Sequence, residues 1–209
     1  MVYAEGSKTE PLYIENIKEE LAKRNNCQVE DLTINTVPKS GGHNTLDLIE
    51  YAEKDVLERR KNNEKIDFIW IFYDKDSFDK DQFDNSYHKI ISKNKDSHKK
   101  KNEFEFACDK FGTVWNACWS NESFELWVFL HFQYLTSSLS RKQYISKINA
   151  FLKAKGAPSS DLYQKTRPDL YTLLNQYGDV KMAKRYAERL NLALENEKVK
   201  TNPSTGIYL

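Results

Sequence analysis

The strongest hydrophobic signal along the chain is Phe68-Ile69-Trp70-Ile71-Phe72-Tyr73, which runs straight into Asp74-Lys75-Asp76. An unbroken run of β-branched and aromatic residues predicts a strand covered on both faces, as at the centre of a parallel sheet. Upstream, Val2-Tyr3-Ala4 reads as a short strand ending at Glu5-Gly6, where glycine permits a sharp turn into a helix. Thr9 reads as the N-cap of that helix, with Glu10 and Pro11 in its first turn. Tyr13, Ile17 and Leu21 then recur at helical spacing as far as Asn25. Leu32 to Val37 alternates like a strand and stops at Pro38, and Ser40-Gly41-Gly42-His43-Asn44 is a loop. Thr45 caps a second helix with the apolar stripe Leu48, Ile49, Ala52 and Val56. Strand, helix, strand, helix, strand in that order implies a parallel sheet with right-handed crossovers.

Past the acidic turn, Phe83, Tyr87, Ile90 and Ile91 mark a third helix, followed by a run containing Lys93, Lys95, Lys99, Lys100 and Lys101. Such a charge run predicts a solvated connector; the sharper alternative is a phosphate-contacting loop beside the acidic site. Phe104 to Phe111 predicts a helix closed by Gly112, and Thr113 to Trp119 a fourth strand. Ser120 or Asn121 then caps a helix that is apolar on nearly every side, from Phe124 to Phe132. After Thr136 only helical patterns remain: Ser140 to Ala154, Asp169 to Tyr177 and Val180 to Asn196, with Asn202 to Gly206 as a closing turn. The expected architecture is an α/β domain over residues 1–135, a four-stranded parallel sheet flanked by helices. An α-helical extension over 136–209 packs on it. Arg167, Lys181, Lys184, Arg185 and Arg189 in that extension read as ordinary surface charge.

Open α/β sheets place ligands outside the carboxyl ends of their strands. Asp74 and Asp76 end the central strand and Glu5 ends the first, so the three predict a site for a hard divalent cation, Mg²⁺ or Mn²⁺. An isolated D-x-D is more often a solvated turn; the apolar strand before it and the second acidic strand end argue for the site. Glu125 sits inside the apolar helix, which is costly unless the carboxylate is paired, hydrogen-bonded or metal-bound. It is a second-rank metal candidate beside the plainer reading of a core glutamate satisfied by backbone or arginine. Glu10 is a candidate for orienting the site, and Lys8, one helical turn from Glu5, for neutralising a phosphate. His131 reads as a satisfied, semi-buried histidine.

Composition narrows the classes. The 209 residues are 39% hydrophobic, 13% aromatic and 30% charged with a mean hydropathy of −0.76, which suits a packed, soluble core. A formal net charge of +1 selects no partner. Cys27, Cys108 and Cys118 have neither C-x-x-C spacing nor even number, so neither zinc site nor disulfide framework is supported. No apolar run approaches the ~20 residues of a membrane span, and no signal peptide is visible, so the cytoplasm is the expected location. Gly6-Ser7-Lys8-Thr9 lacks the upstream glycine of a P-loop. The Asp74 to Asp84 segment places Phe78 at a calcium-ligand position and Asp79 where a calcium loop needs glycine. A strand ending in D-x-D also opens the haloacid-dehalogenase phosphatases, on the first strand rather than the third, and this is a minor alternative.

Glutamate and glycine after the first strand with D-x-D after the third resemble the TOPRIM fold of topoisomerases, primases and related nucleases. Three blocks sharpen the likeness. Glu5-Gly6-Ser7-Lys8-Thr9-Glu10-Pro11-Leu12-Tyr13 resembles the E-G-x-x-T-E-P-x-Y opening of the RloB-like family. Ser120-Asn121-Glu122-Ser123-Phe124-Glu125-Leu126-Trp127 with His131-Phe132 resembles its S-N-P-x-F-E-x-W…H-F block, with Glu122 in place of the usual proline. Asn202-Pro203-Ser204-Thr205 resembles its closing N-P-S-T. The resemblance implies a role in phage defence beside restriction and abortive-infection genes, often with an ATPase partner. Together with the carboxylates it leads to an expected Mg²⁺-dependent nuclease: Asp74 and Asp76 as metal ligands, Glu5 as ligand or general acid/base, nucleic acid as substrate, and Lys8, Lys99, Lys100 and Lys101 as phosphate contacts. The competing class is a non-catalytic subunit that binds nucleic acid or an ATPase in a metal-dependent way.

Overall fold

The computed structural model describes residues 1–25, 33–36, 45–75, 80–101, 104–192 and 202–207. Its elements are β1 (Val2–Ala4), α1 (Thr9–Asn25), β2 (Ile34–Thr36), α2 (Thr45–Lys61), β3 (Phe68–Asp74), α3 (Lys80–Ile91), β4 (Ser97–Lys101), β5 (Phe104–Cys108), β6 (Val114–Asn121), α4 (Glu125–Leu130), α5 (Arg141–Ala154), α6 (Leu170–Tyr177), α7 (Val180–Leu192) and β7 (Ser204–Thr205). The loop 40–44, Asp76 and the expected reach of the last helix to Asn196 lie outside the described residues.

Four strands form the expected parallel core in the order β2-β1-β3-β6. The sheet has a fifth member: β7 joins the outer edge of β6 antiparallel, with Ser120 opposite Thr205 and Asn121 opposite Ser204. The closing segment is therefore a buried strand rather than the expected turn. Thr205 Oγ1 donates to the Trp119 carbonyl at 2.9 Å, and Asn191 Nδ2 donates to the Thr205 carbonyl at 2.8 Å. The extension thus completes the sheet as well as covering it.

Both faces of the sheet are buried, as the unbroken apolar run of β3 requires. Val2, Ala4, Phe72 and Cys118 point into one core with Tyr13 of α1, Phe129 of α4 and the helices of the extension. Tyr3, Ile69, Ile71, Tyr73, Trp115 and Trp119 point into the other, beneath α2 and α3. The period-two alternation of each strand sends neighbouring side chains to opposite layers.

The lysine run and the segment after it depart from expectation. Ser97–Lys101 and Phe104–Cys108 form an antiparallel hairpin, not a connector and a helix. Phe104, Ala107, Cys108 and Phe111 do fit a helical stripe, yet Phe104 is 66% exposed and Phe111 60%. The residue that packs is Phe106, whose ring meets Phe68 edge-on at 5.4 Å. Lys99 Nζ lies 4.9 Å over the Phe68 ring and donates to Asp67 Oδ1 at 2.8 Å. The hairpin therefore covers the start of β3, six residues and about 20 Å from Asp74. Lys99, Lys100 and Lys101 belong to a strand at the far end of the sheet, not to a loop beside the acidic strand ends. Likewise, β6 runs on through Asn121, so α4 begins at Glu125 and neither Ser120 nor Asn121 caps it.

Candidate functional site

Parallel pairing brings the carboxyl ends of β1 and β3 to one edge. The Glu5 amide donates to the Phe72 carbonyl at 3.0 Å, and Asp74, the last residue of β3, lies opposite Ser120 of β6. Four residues beyond the end of β6, α4 opens with Glu125. Glu5, Glu10, Asp74 and Glu125 consequently line a single cavity of about 300 Å³, together with Lys8, Arg141 and Lys165. Thr45, the first residue of α2, donates through Oγ1 to Glu5 Oε2 at 3.2 Å, fixing the carboxylate from the neighbouring helix.

Arg141 and Lys165 are supplied by the C-terminal extension. Arg141 Nη2 donates to Asp74 Oδ2 at 3.2 Å, and its Nε lies 3.8 Å from Glu125 Oε2. Arg141 is the first residue of α5, whose N-terminus Ser140 and Gln143 close with a reciprocal capping box. A cation there opposes the helix dipole by about 0.3–1 kcal/mol, a cost that only facing carboxylates offset. Lys165 stands 3.5 Å from Glu125 Oε1, and its carbonyl accepts the Thr9 hydroxyl at 3.1 Å. Thr9 is thus spent joining α1 to the extension rather than capping its own helix.

Glu125 is 1% exposed, and its two oxygens divide the available donors. Ser123 Oγ donates to Oε2 at 2.7 Å and the Tyr163 hydroxyl to Oε1 at 3.1 Å. Burial, then the Glu125 charge, push the Tyr163 phenol well above its ordinary range, so it remains a donor. Asn149 of α5 holds the Tyr163 backbone on both sides, at 2.7 and 3.3 Å. Glu125 is the satisfied core carboxylate of the plainer expectation, and it anchors two cations of the cavity, Arg141 and Lys165.

Glu10 is 7% exposed, and burial raises its pKa, with a further push from Glu125. It lies against Gly6 so closely that a Cβ at position 6 would stand 2.3 Å from Glu10 Oε2. Gly6 is therefore required for this close approach rather than for an unusual backbone angle. His131, 3% exposed, donates through Nδ1 to the Trp127 carbonyl at 2.9 Å, and burial lowers its pKa to about 4. It packs in the core away from the cavity lining.

The structure thus brings together Glu5, Lys8, Glu10, Asp74 and Glu125; Lys99 and Lys100 lie elsewhere, and Asp76 is outside the described residues. Among the described residues no three His, Cys, Asp or Glu side chains group as a metal site. Glu5 and Asp74 nevertheless fit a hard cation: both are oxygen donors on one cavity, and a small cation that keeps its waters needs few protein ligands. The guanidinium beside Asp74 is itself a positive charge held at that place. Thr45, Ser123, Arg141, Tyr163 and Lys165 escaped the sequence reading. A signal existed for Arg141, since a basic pair opening a capped helix runs against the dipole, and for Ser123, two residues before a carboxylate in need of donors. Tyr163 and Lys165 carry none.

A model of the family described as RloB-like protein matches residues 1–209, the whole chain. No curated protein and no solved structure matches.

Proposed function

The chain belongs to the RloB-like family, and we propose that it is a Mg²⁺- or Mn²⁺-dependent nuclease that hydrolyses phosphodiester bonds of nucleic acid in phage defence. The observation that carries the proposal is the shared cavity: Glu5 and Asp74, from the ends of adjacent parallel strands, face the same space as Arg141 and Lys165. On this reading Glu5 and Asp74 hold the cation, with Asp76 adjoining in sequence. When bound, the cation supplies Lewis acidity at a phosphoryl oxygen and neutralises developing charge. Thr45 fixes the Glu5 carboxylate in place. Glu125 holds Arg141 and Lys165 at the cavity wall, where they and Lys8 present positive charge to the phosphate. Glu10, whose raised pKa favours its protonated form, is placed to hold a proton within the site. The family likeness further supports an ATPase partner.

A second reading, a metal-dependent binding subunit without turnover, is favoured by one contact: Asp74 is already paired with Arg141. One experiment separates the two. Purified protein is incubated with DNA and with RNA in Mg²⁺ or Mn²⁺, beside Glu5→Gln and Asp74→Asn. Cleavage by the unaltered protein alone supports the nuclease. Equal cleavage by all three rules this site out, and binding without cleavage favours the subunit.

A further inference from the structure

The acidic cavity holds a positive charge of its own at the place that the cation reading gives to a metal. Arg141 Nη2 lies 3.2 Å from Asp74 Oδ2, while Nε of the same guanidinium stands 3.8 Å from Glu125 Oε2, too far for a hydrogen bond. One side chain thus spans two carboxylates and is bonded to the first. Its hold there is loose. The side chain is 34% exposed, so water screens the pair, and its place in the first turn of α5 sets it against the helix dipole. Glu125 is the firmer of the two stations: Ser123 and Tyr163 fix its two oxygens, and Lys165 stands 3.5 Å from Oε1.

We propose that Arg141 is a movable counter-charge: a divalent cation that binds Asp74 displaces the guanidinium, which turns to Glu125 and stays in the cavity as a phosphate contact. The inference rests on the reading of Glu5 and Asp74 as cation ligands. A dication and a guanidinium held against one carboxylate repel each other strongly, and a partly buried site screens that repulsion poorly. Positive charge is nevertheless needed there when no metal is bound, because Glu5, Glu10, Asp74 and Glu125 face the same space. Exchange meets both demands. A guanidinium suits the part, since it is always charged and its fork of donors can leave one carboxylate while reaching another. Arg141 also sets the cation affinity on this account, because the metal must first undo the Arg141–Asp74 pair.

The test uses the full chain and the metal alone. Mn²⁺ is titrated calorimetrically at neutral pH into the unaltered protein, Arg141→Gln and Lys165→Gln. Arg141→Gln should bind Mn²⁺ about tenfold more tightly, the worth of one partly exposed charge-assisted hydrogen bond. Lys165→Gln removes the same charge from the same cavity but faces Glu125, and should gain less than about threefold. Saturating Mg²⁺ should shift the Arg141 Nε–H resonance of the unaltered protein, which reports on the side chain itself. Circular dichroism and melting report the folding of both variants, and the resonance decides alone if Arg141→Gln does not fold. Binding by Arg141→Gln but not by the unaltered protein also supports the exchange. Equal affinity of those two overturns the exchange and leaves the cation reading standing, as does an equal gain in Lys165→Gln or an unmoved resonance in metal-saturated protein. Failure of all three proteins to bind Mn²⁺ overturns the cation reading, and the exchange with it.

Discussion

Glu125→Gln is the most informative single substitution in the acidic cavity. It preserves volume and removes one charge at a position 1% exposed. One carboxylate oxygen becomes an amide nitrogen, so either the Ser123 hydroxyl at 2.7 Å or the Tyr163 hydroxyl at 3.1 Å must turn from donor to acceptor. Arg141 and Lys165 lose their common anion. Removing one partner of a fully buried pair costs about 3–5 kcal/mol. The two cationic side chains are 34% and 41% exposed, so water replaces part of what they lose. The net expectation is a loss of about 2 kcal/mol, because hydrogen bonds to a charged group are worth about 1.5–3 kcal/mol each and most survive in weaker form. For a chain of this size that corresponds to a fall in Tm of about 4–8 °C. Urea and thermal unfolding at neutral pH measure it. A second readout is carboxyl titration by NMR: with Glu125 neutral, Glu10 loses a like-charge neighbour and titrates at lower pH. A change in stability within about 0.5 kcal/mol, the range of an ordinary surface position, would refute the idea that Glu125 organises this cluster.

Other expectations follow from the same geometry. The His131 pKa is lowered from 6.5 to about 4, so the unfolded chain binds the extra proton first and stability falls as pH drops through that window. The loss amounts to about 3 kcal/mol at the acid end, and His131→Gln should flatten this limb of a stability-against-pH curve. Glu10 has the opposite sign: its raised pKa favours the protonated folded state, so its contribution declines as pH rises from the ordinary glutamate value of 4.5 through the raised folded pKa. Glu10→Gln should therefore be more stable than the unaltered protein at neutral pH by urea unfolding. Gly6→Ala should displace the Glu10 carboxylate, changing its titration by carboxyl NMR while costing only about 1 kcal/mol of stability, because the atom that must yield is a side-chain end. Lys100→Gln should leave nucleic-acid affinity unchanged in a binding titration, since the β4–β5 hairpin sits against Phe68 rather than Asp74.

What could be read from the chain was whatever local pattern decides. The buried strand β3, the stripe of α2 and the coincidence of Glu5 with Asp74 follow from periodicity and from the geometry of parallel sheets. The hairpin was missed because Phe104, Ala107, Cys108 and Phe111 satisfy helical spacing, while the deciding contact, Phe106 on Phe68, is tertiary. A strand as short as Ser204–Thr205 has no period to detect, and only its partner on β6 defines it. Glu5, Asp74 and Glu125 were legible because each ends a strand or interrupts an apolar run, and Glu10 because it opens a helix one turn from Glu5. Arg141 and Lys165 were not, because ordinary surface arginines and lysines look the same until the fold places them beside Glu125.

The two-residue strand β7 bears on how the molecule comes into being. Ser120 and Thr205 meet across 85 residues, with hydroxyl oxygens 3.1 Å apart. A chain emerging from the ribosome exposes β1, β3 and β6 early, but the outer backbone of β6 near Trp119 stays unsealed until residue 206 is made. Arg141 and Lys165 also arrive after all four carboxylates. Until those residues are made, the growing chain carries an acidic cleft without Arg141 and Lys165 and a sheet with a raw border, open to pairing with a neighbour on the same polysome.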